Sequence, residues 1–227
     1  MENTEEKIGW RCESGINKDL NDRRLLRIFP HTGMTEHKHK VKILLVRHGE
    51  SESNIGGRTE SPSTIRLTEK GLWQSRKLLE KISVVPELII VTSYTRTAQT
   101  AAPLIGKHPD VPVETWPLHE FTFLSPGLCN GTTPTERAPW VQAYWERCDP
   151  DYVHGEGAES FNQFTDRVGR GINKIALLGH GNVAVFTHGH VIRAAMMFAE
   201  ASEVSMKHYR DVMLKQNVPN TYVHEIV

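Results

Sequence analysis

The chain lacks the features that would tie it to a membrane or a nucleic acid. Its 27 lysine and arginine residues balance 27 aspartate and glutamate residues, so no excess charge favours nucleic acid or an anionic membrane surface. No apolar run approaches the ~20 residues that span a bilayer, and the first residues show no secretory signal pattern. We therefore expect a cytoplasmic protein with no nucleic-acid or membrane partner.

Cysteine is also scarce. The three cysteines, Cys12, Cys129 and Cys148, lie far apart and show none of the short spacings of zinc sites. The pair His37 and His39 has no companion ligands, so we interpret it as part of the composition of the N-terminal segment. The sequence predicts no metal and no other cofactor.

Residues 1–40 differ from the rest of the chain. They mix acidic and basic side chains with few periodic apolar positions, which favours a loosely ordered N-terminal extension. The alternative is a short amphipathic helix at 20–29 that docks on the domain or on a partner. The remaining residues, 41–227, are enough for one catalytic domain with a buried core.

Three short apolar runs each lead into a polar motif. The runs are 41–46, 88–91 and 183–186, and the motifs are Arg47-His48-Gly49-Glu50, Thr92-Ser93-Tyr94-Thr95-Arg96 and Thr187-His188-Gly189-His190. If the three runs are parallel strands, their polar ends converge at the ligand-binding edge of the sheet. The pooled guanidiniums, imidazoles and helix-start amides suit an anion, above all a phosphate.

The apolar periodicity between these runs predicts helices. Thr68 and Ser160 are suited to cap helices, and the residue Pro86 ends the first one. The predicted packed positions are Leu72, Leu78, Leu79 and Ile82; Ala98, Ala101, Ala102 and Ile105 in a helix at 95–105 that stops at Gly106; and Phe161, Phe164, Val168, Ile172 and Ile175. With a further helix at 191–200 and a last strand at 221–227, the order predicts a three-layer α/β/α sandwich, with a mostly parallel sheet and helices on both faces.

The residue types in the pooled set also suggest a reaction. A neutral imidazole is a good nucleophile toward phosphorus, and flanking cations lower its pKa, so His48 is the candidate nucleophile. Glu120, between Leu118 and Phe121, is the candidate general acid, with a pKa raised by partial burial. The competing interpretations are a structural histidine for His48, a surface ion pair for Arg96, a solvated loop carboxylate for Glu120 and a turn residue for Asn54. The convergence of three motifs argues against the first two.

Taken together, the motifs resemble those of the histidine phosphatase superfamily, the phosphoglycerate-mutase-like proteins, over residues 41–227. The resemblance rests on Arg47-His48-Gly49-Glu50 with Asn54, on Gly57-Arg58, on Leu67-Thr68-Glu69-Lys70-Gly71, on Ser93, Arg96 and Gln99-Thr100-Ala101, on Glu120, on Gly157, Glu159 and Ser160, and on Thr187-His188-Gly189. Any one of these motifs alone would be weak evidence.

This resemblance implies roles for individual residues. It implies that His48 becomes phosphorylated and that Arg47, Arg96 and His188 hold the phosphoryl group, with Asn54, Arg58 and Gly189 as further contacts. It implies that Glu120 is the proton donor and that the C-terminal segment forms an antiparallel edge strand. His190 departs from the family, in which many members carry a small residue, and we expect its imidazole to narrow or tune the pocket mouth.

Residues 121–159 form the candidate lid over this site. The segment carries two arginines against six carboxylates, so it offers little to a second phosphate. Its aromatic residues Trp140, Tyr144, Trp145 and Tyr152 are candidates to stack on a leaving group, although packing in the core is the favoured interpretation. Family mutases resemble one another in a longer basic insertion that this chain lacks.

The favoured function is therefore hydrolysis of a small phosphorylated metabolite through a phosphohistidine. Three alternatives stay open at this point: a phosphoglycerate-mutase-type phosphotransferase, a non-catalytic module that binds a phosphorylated ligand, and a metallohydrolase that uses His188, His190 and a carboxylate. The guanidiniums of Arg47 and Arg96 would repel a divalent cation, which disfavours the last. The sequence does not fix the physiological substrate or the oligomeric state.

Overall fold

The computed structural model describes residues 41–200 and 204–227. The strands are β1 (Lys42–Arg47), β2 (Leu88–Val91), β3 (Val113–Thr115), β4 (Asn182–Thr187) and β5 (Val223–Ile226). The helices are α1 (Glu69–Lys77), α2 (Thr95–Lys107), α3 (Pro126–Cys129), α4 (Pro134–Arg147), α5 (Phe161–Leu177), α6 (Gly189–Glu200) and α7 (Met206–Lys215), with 3₁₀ turns at Glu52–Ile55 and Leu78–Glu80. The predicted N-terminal extension, with His37 and His39, lies outside the described residues.

The described strands form one sheet in the order β3-β2-β4-β1-β5. Strands β1, β2, β3 and β4 are mutually parallel, so β1, β2 and β4 present their carboxyl ends at one edge. Strand β5 pairs antiparallel with β1, as the family resemblance implied for the C-terminal segment. The three motif strands are therefore neighbours, and their polar ends meet.

Side chains on the three central strands alternate between two apolar clusters, one on each face of the sheet. Residues Ile43, Leu45, Leu88, Ile90, Val183 and Val185 pack with α5 and α6, whereas Leu44, Val46, Ile89, Val91, Ala184 and Phe186 pack with Leu78, Ile82, Ala101 and Leu104. Each fully buried side chain of this size contributes about 1.5–3 kcal/mol. The predicted three-layer α/β/α sandwich is confirmed.

Hydroxyl caps fix the starts of several helices. Thr68 accepts a hydrogen bond from the Gly71 amide, and Ser160 accepts one from the Gln163 amide, as predicted for these two positions. Thr133 and Ser205 cap α4 and α7 in the same way. The segment before each cap is therefore held in a defined direction as it enters the helix.

The packed faces of the first two helices were predicted wrongly in part. Leu72 is 36% exposed, because Gly71 and Ser75 face inward instead. A Cβ at Gly71 would lie 2.0 Å from the Glu50 carbonyl oxygen, so contact with that loop fixes the rotation of α1. The α-helix then ends at Lys77 and tightens into the 3₁₀ turn that carries the buried Leu78.

Helix α2 differs from the prediction in a similar way. Ala98 and Ala102 are exposed, whereas the hydroxyl-bearing residues Thr97 and Thr100 are buried because both make hydrogen bonds at the site. The helix also continues through Gly106 to Lys107. The edge strand β3 and helix α7 were not predicted. All three side chains of β3 are exposed, so it shows no apolar alternation.

The described helices include none that combines the length and the apolar character required to cross a membrane.

Candidate active site

Backbone hydrogen bonds join the ends of the motif strands directly. The His48 amide donates to the Thr187 carbonyl oxygen over 3.0 Å, which links the end of β1 to the end of β4. The Gly49 amide donates to the Thr100 hydroxyl on α2 over 3.0 Å. The Thr187 hydroxyl in turn donates to the Leu118 carbonyl oxygen over 2.6 Å, two residues before Glu120. The three predicted motifs and the predicted acid therefore surround one site.

Gly49 is required for close approach rather than for its dihedral angles. A Cβ at this position would lie 2.7 Å from the Gly71 carbonyl oxygen, so the loop after β1 and the start of α1 touch backbone to backbone. Two further contacts hold the loop, because Thr68 donates to a Glu50 carboxylate oxygen and Gln74 accepts from the Glu50 amide. This explains why the stretch 67–71 accompanies the Arg-His-Gly-Glu motif.

His48 is a buried, neutral imidazole in which a hydrogen bond fixes the ring nitrogen that carries the proton. Its Nδ1 lies 2.7 Å from the Gly49 carbonyl oxygen, and since a carbonyl only accepts, Nδ1 carries the proton and donates. Nε2 therefore keeps its lone pair. Burial, with the charge of Arg96 as a further cause, lowers the pKa of His48 to about 3. The ring is thus in its nucleophilic form at neutral pH.

His188 lies beside His48, with 5.3 Å between the ring centroids. Arg96 Nη2 is 3.1 Å from His188 Nδ1, and because a guanidinium only donates, Nδ1 accepts and Nε2 carries the proton. Nε2 then donates to the Thr92 hydroxyl over 3.1 Å. Burial and the Arg96 charge lower the pKa of His188 well below its usual value. Thr92 is a functional residue that the sequence motif contained without revealing its role.

The two arginines approach this histidine pair from different elements, Arg47 from the end of β1 and Arg96 from the first turn of α2. Arg96 is 6% exposed, and its Nη1 donates to the Pro62 carbonyl oxygen over 2.7 Å. Arg47 Nη1 donates to the Val218 carbonyl oxygen, while its buried Nε has no hydrogen-bond partner in the described part of the chain. Burial lowers the pKa of both guanidiniums. Two desolvated cations beside neutral imidazoles make this group of side chains, the cradle, suited to bind a dianion.

Gly189 lies against the Arg47 guanidinium. A Cβ there would lie 3.5 Å from Arg47 Nε, an ordinary contact distance, so this position does not require glycine for space. The predicted contact residue is therefore at the site, next to His188 and at the N-terminal end of a helix of 12 residues. The amides at this helix start remain a predicted contact for an anion.

Glu120 also lies at the site, half-buried in the wall of the cavity that contains Arg96. Its Oε1 accepts hydrogen bonds from the backbone amides of His190 and Phe121, each over 3.1 Å. Burial raises the pKa of the carboxyl, but the interactions with His190, Arg96 and His48 and the hydrogen bond from the Phe121 amide outweigh burial and hold its pKa below the usual value. The expectation of a raised pKa is therefore wrong for the ligand-free protein, because burial here comes with a guanidinium and with hydrogen-bond donors.

The segment that carries Glu120 is held by a residue that sequence analysis missed. Arg167 Nη1, on α5, donates to the carbonyl oxygens of Pro117 and His119 over 2.7 and 3.1 Å. Phe121 stacks on Phe164 from the same helix, with 4.3 Å between ring centroids. The only sequence signal was the position of Arg167 on the helix that follows the Ser160 cap.

His190 lines the cavity next to Glu120. Its Nδ1 is 2.6 Å from the Tyr209 hydroxyl, which itself donates to the His190 carbonyl oxygen over 3.1 Å, so Nδ1 is the donor to the phenol oxygen. Burial lowers the pKa of His190. The imidazole is therefore a neutral, fixed part of the cavity wall, and its effect on the pocket mouth stays a prediction.

The structure places Asn54 near His48 but leaves Arg58 outside the site. Asn54 Oδ1 accepts from the Ser51 amide and from Asn220 Nδ2, which also donates to the His48 carbonyl oxygen. Asn220 is another contact that sequence analysis missed. Arg58 is largely exposed and pairs with both carboxylate oxygens of Glu136 on α4. The structure thus gives Arg58 a partner in the lid rather than a place in the cradle.

A cavity of about 390 Å³ opens beside the cradle. The segment proposed as a lid supplies much of its wall, through residues 121–124, α3 and α4. The four aromatic residues expected there as stacking candidates are absent from its lining: Tyr144, Trp145 and Tyr152 pack in the core cluster, and Trp140 is 36% exposed. The favoured structural interpretation holds for the first three.

Within residues 41–200 and 204–227, no three or more His, Cys, Asp or Glu side chains are grouped as metal ligands would be.

Comparison with known proteins agrees with the motifs. The family model of the histidine phosphatase superfamily (branch 1) matches residues 43–226. A 2,3-bisphosphoglycerate-dependent phosphoglycerate mutase of Gloeobacter violaceus is 31% identical over 193 residues, covering 81% of this chain and 85% of the relative. An adenosylcobalamin/alpha-ribazole phosphatase of Salmonella typhimurium is 30% identical, covering 67% and 76%. A metal-independent phosphoserine phosphatase of Arabidopsis thaliana is 31% identical, covering 68% and 66%.

Solved structures share the fold. A putative alpha-ribazole-5'-P phosphatase from Escherichia coli superposes with a TM-score of 0.63 at 22% identity, over 82% of this chain and 90% of that one. Phosphoserine phosphatase from Entamoeba histolytica superposes with a TM-score of 0.62 at 21% identity, with the same coverage. Given this fold, the matched family model and the paired histidines and arginines at the strand ends, the chain belongs to branch 1 of the histidine phosphatase superfamily and is a phosphomonoesterase of that family.

Proposed function

We propose that the protein hydrolyses small phosphorylated metabolites through a phosphohistidine formed on His48. The observation that carries the proposal is the state of this ring: buried, neutral, with Nδ1 committed to the Gly49 carbonyl and Nε2 left with a lone pair. His188 and Arg96 stand beside it, joined by a hydrogen bond of 3.1 Å. A nucleophile and an anion cradle are thus assembled before substrate arrives, which lowers the cost of reaching the transition state.

In the first step, the lone pair of His48 Nε2 attacks phosphorus, and the bond from phosphorus to the ester oxygen breaks. Arg47 and Arg96 neutralise the charge on the phosphoryl oxygens while the phosphoryl group passes from the tetrahedral ester to the transition state. His188 Nδ1 holds the Arg96 guanidinium beside the phosphoryl group through the hydrogen bond of 3.1 Å. The leaving oxygen carries away the electron pair of the broken bond.

The leaving oxygen needs a proton, and Glu120 is the group placed to supply it. In the ligand-free protein this carboxyl is ionised, because nearby cations hold its pKa low. A substrate dianion neutralises those cations and adds negative charge, which raises the pKa of Glu120 and allows it to take up one proton on binding. Glu120 then acts as general acid in the first step.

In the second step, water attacks the phosphorus of phospho-His48. Glu120, now a carboxylate, takes a proton from this water, and the bond between nitrogen and phosphorus breaks. The electron pair of that bond returns to His48 Nε2, inorganic phosphate leaves and the enzyme is regenerated. Each step therefore uses the same groups with the roles of acid and base exchanged.

Hydrolysis fits the cavity better than transfer between two hydroxyls. A mutase must hold a second phosphoryl position, which needs further cations around the pocket. Of the two arginines in the lid, Arg147 lies over the Tyr152 ring at 4.0 Å, and its Nε is 3.8 Å from an Asp149 carboxylate oxygen. The other, Arg137, lines the cavity, but its Nη1 donates to the Thr132 carbonyl and hydroxyl oxygens. His48 is neutral and keeps a lone pair on Nε2, which disfavours the alternative of a non-catalytic module that only binds a phosphorylated ligand.

Rapid acid-free quenching with ³²P-labelled substrate tests the proposal. We expect a phosphoprotein that is stable in alkali and labile in acid, and release of inorganic phosphate at the rate at which substrate is consumed. His48→Ala should abolish both, whereas His208→Ala, an exposed histidine on α7, should abolish neither. Conversion of 3-phosphoglycerate to 2-phosphoglycerate without phosphate release would assign a mutase instead, and phosphorylation of the His48→Ala variant would refute the assignment of the nucleophile.

A further inference from the structure

The cavity beside the cradle is largely apolar. Its wall includes the side chains of Ile65, Phe121, Phe123, Leu124, Pro126 and Val141. These residues come from the loop before α1, from residues 121–124 directly after Glu120, and from helices α3 and α4. Apolar side chains from separate parts of the chain therefore line the space that the organic part of a bound phosphomonoester would fill.

The charged groups in this wall belong mostly to the reaction. Arg96 forms the phosphate cradle, and Glu120 is the proposed acid, ionised in the ligand-free protein. Both groups are therefore committed to the phosphoryl group and its leaving oxygen, and neither offers a site for a second anionic group on the substrate. The remaining cation, Arg137, donates through Nη1 to the Thr132 carbonyl oxygen over 2.8 Å and to the Thr59 hydroxyl over 3.3 Å. The guanidinium of Arg137 is thus partly occupied by hydrogen bonds that join the lid to the loop at residue 59.

The remaining polar wall is uncharged. Ser53, Thr59 and Thr122 contribute hydroxyl groups, and His190 contributes a neutral ring whose Nδ1 is bound to Tyr209. Few fixed polar groups in an apolar cavity of about 390 Å³ are typical of sites for small organic ligands. The volume is enough for an aromatic or branched aliphatic body in addition to the phosphoryl group.

From these observations we infer that the preferred substrates are phosphomonoesters whose organic part is uncharged and largely apolar, rather than phosphorylated acids. The inference rests on the proposed function only for the position of the phosphoryl group. The hydroxyls and His190 then orient the ester, and the apolar wall supplies the affinity. Each methylene group buried against this wall tightens binding about fourfold.

Binding of phosphonates tests the inference without any turnover. By calorimetry, 2-phenylethylphosphonate should bind at least about tenfold more tightly than methylphosphonate, and propylphosphonate more tightly than 3-phosphonopropionate, its carboxylate-bearing counterpart. In turnover, kcat/KM should be higher for 2-phenylethyl phosphate than for O-phosphoserine.

Variants locate the preference within the wall. Ile65→Asn and Val141→Asn should each lower the ratio of affinities for 2-phenylethylphosphonate and methylphosphonate by about fivefold. Leu128→Asn is the matched control, since this residue is 55% exposed on α3 and absent from the cavity lining, and it should leave the ratio unchanged.

Two outcomes separate this inference from the proposed function. Tighter binding of 3-phosphonopropionate than of propylphosphonate would overturn the inference, and loss of that advantage in Arg137→Met would locate a carboxylate site instead. Selective binding of apolar phosphonates with no phosphate release from any ester would leave the inference standing and refute the proposed function.

Discussion

Glu159 and Arg167 form a bidentate ion pair that spans the segment carrying Glu120. Arg167 Nε is 2.9 Å from Glu159 Oε2, and Nη2 is 2.5 Å from Oε1. Glu159 Oε1 also accepts from the Thr122 amide, on the other side of Glu120 from the carbonyls that Arg167 holds. The two side chains are only 16% and 13% exposed. The pair thus fixes the backbone on both sides of the proposed acid.

Arg167→Met should therefore impair both folding stability and proton donation. Removing one partner leaves the Glu159 charge poorly solvated, and we expect the free energy of unfolding to fall by about 3 kcal/mol. We also expect kcat/KM to fall at least about tenfold for an alkyl phosphate and much less for p-nitrophenyl phosphate, which leaves without protonation. Urea denaturation measures the first effect, and steady-state kinetics with both esters measures the second.

Two further variants control this experiment. Arg167→Lys retains the charge but loses the fork, so it should recover part of the stability while the alkyl ester stays slow. Arg170→Met removes the exposed partner of Asp166 on the same helix and should change neither measurement. Equal loss of activity on both esters in Arg167→Met would show that the pair supports the fold alone.

Glu120→Gln should slow the reaction most for esters whose leaving oxygen must be protonated. We expect kcat/KM to fall about a hundredfold or more for an alkyl phosphate, and less than about tenfold for p-nitrophenyl phosphate. An equal fall on both substrates would assign the proton donor to another residue.

The pH profile of the unaltered enzyme follows from the low pKa of Glu120. Because the free carboxyl is ionised, the productive complex contains one proton shared between Glu120 and the substrate phosphate. A phosphate monoester loses its second proton at about pH 6, so kcat/KM for an alkyl ester should fall as the pH rises above that value. A rate that increases with pH from about 6 to about 8 would contradict this scheme.

The sequence was enough to predict the three motif strands and the polar groups that meet at their ends. Each motif strand has a buried apolar run of uniform type, and the residue after the run is placed by the geometry of a parallel sheet. The convergence of the strand ends alone was enough to predict that His48, His188 and Arg96 lie close together. Strand β3 escaped prediction because its three exposed residues carry no apolar alternation.

The positioning residues could not be predicted for a different reason. Thr92, Arg167 and Asn220 act through hydrogen bonds to residues far away in sequence, and no local period marks such partners. The pKa of Glu120 was predicted in the wrong direction because its apolar neighbours indicated only its burial, whereas the groups that lower the pKa, His190 and Arg96 among them, come from parts of the chain far away in sequence. Exposed Arg58 was placed at the site by its motif, but Glu136 on α4 binds it.

The buried histidines should make the fold sensitive to acid. Burial lowers the pKa values of His48 and His188 in the folded protein. In the unfolded chain the pKa of a histidine is about 6.5. Below that pH the unfolded state binds more protons than the folded state, so the free energy of unfolding falls as the pH drops. It should fall by about 1.4 kcal/mol per pH unit for each such histidine, until the folded pKa is reached, and stay at its full value above about pH 6.5.

Urea denaturation from about pH 7.5 to about pH 5 in phosphate-free buffer measures this dependence. His48→Gln should reduce the slope below about pH 6 by the contribution of one proton. His208 is exposed on α7 and is not one of these buried rings, so His208→Gln should leave the slope unchanged. A slope that is the same in His48→Gln and in the unaltered protein would show that His48 is not neutral in the fold.

The arginines Arg96 and Arg58 offer a direct test of which guanidinium belongs to the cradle. Arg96 touches His188 and is buried, so Arg96→Met should weaken competitive inhibition by inorganic phosphate by about a hundredfold, the effect of losing a charge-assisted contact in a desolvated site. Arg58 pairs with Glu136 at the surface, so Arg58→Met should change the inhibition constant by less than about twofold. A comparable loss in both variants would mean that Arg58 leaves Glu136 when phosphate binds and closes over the site.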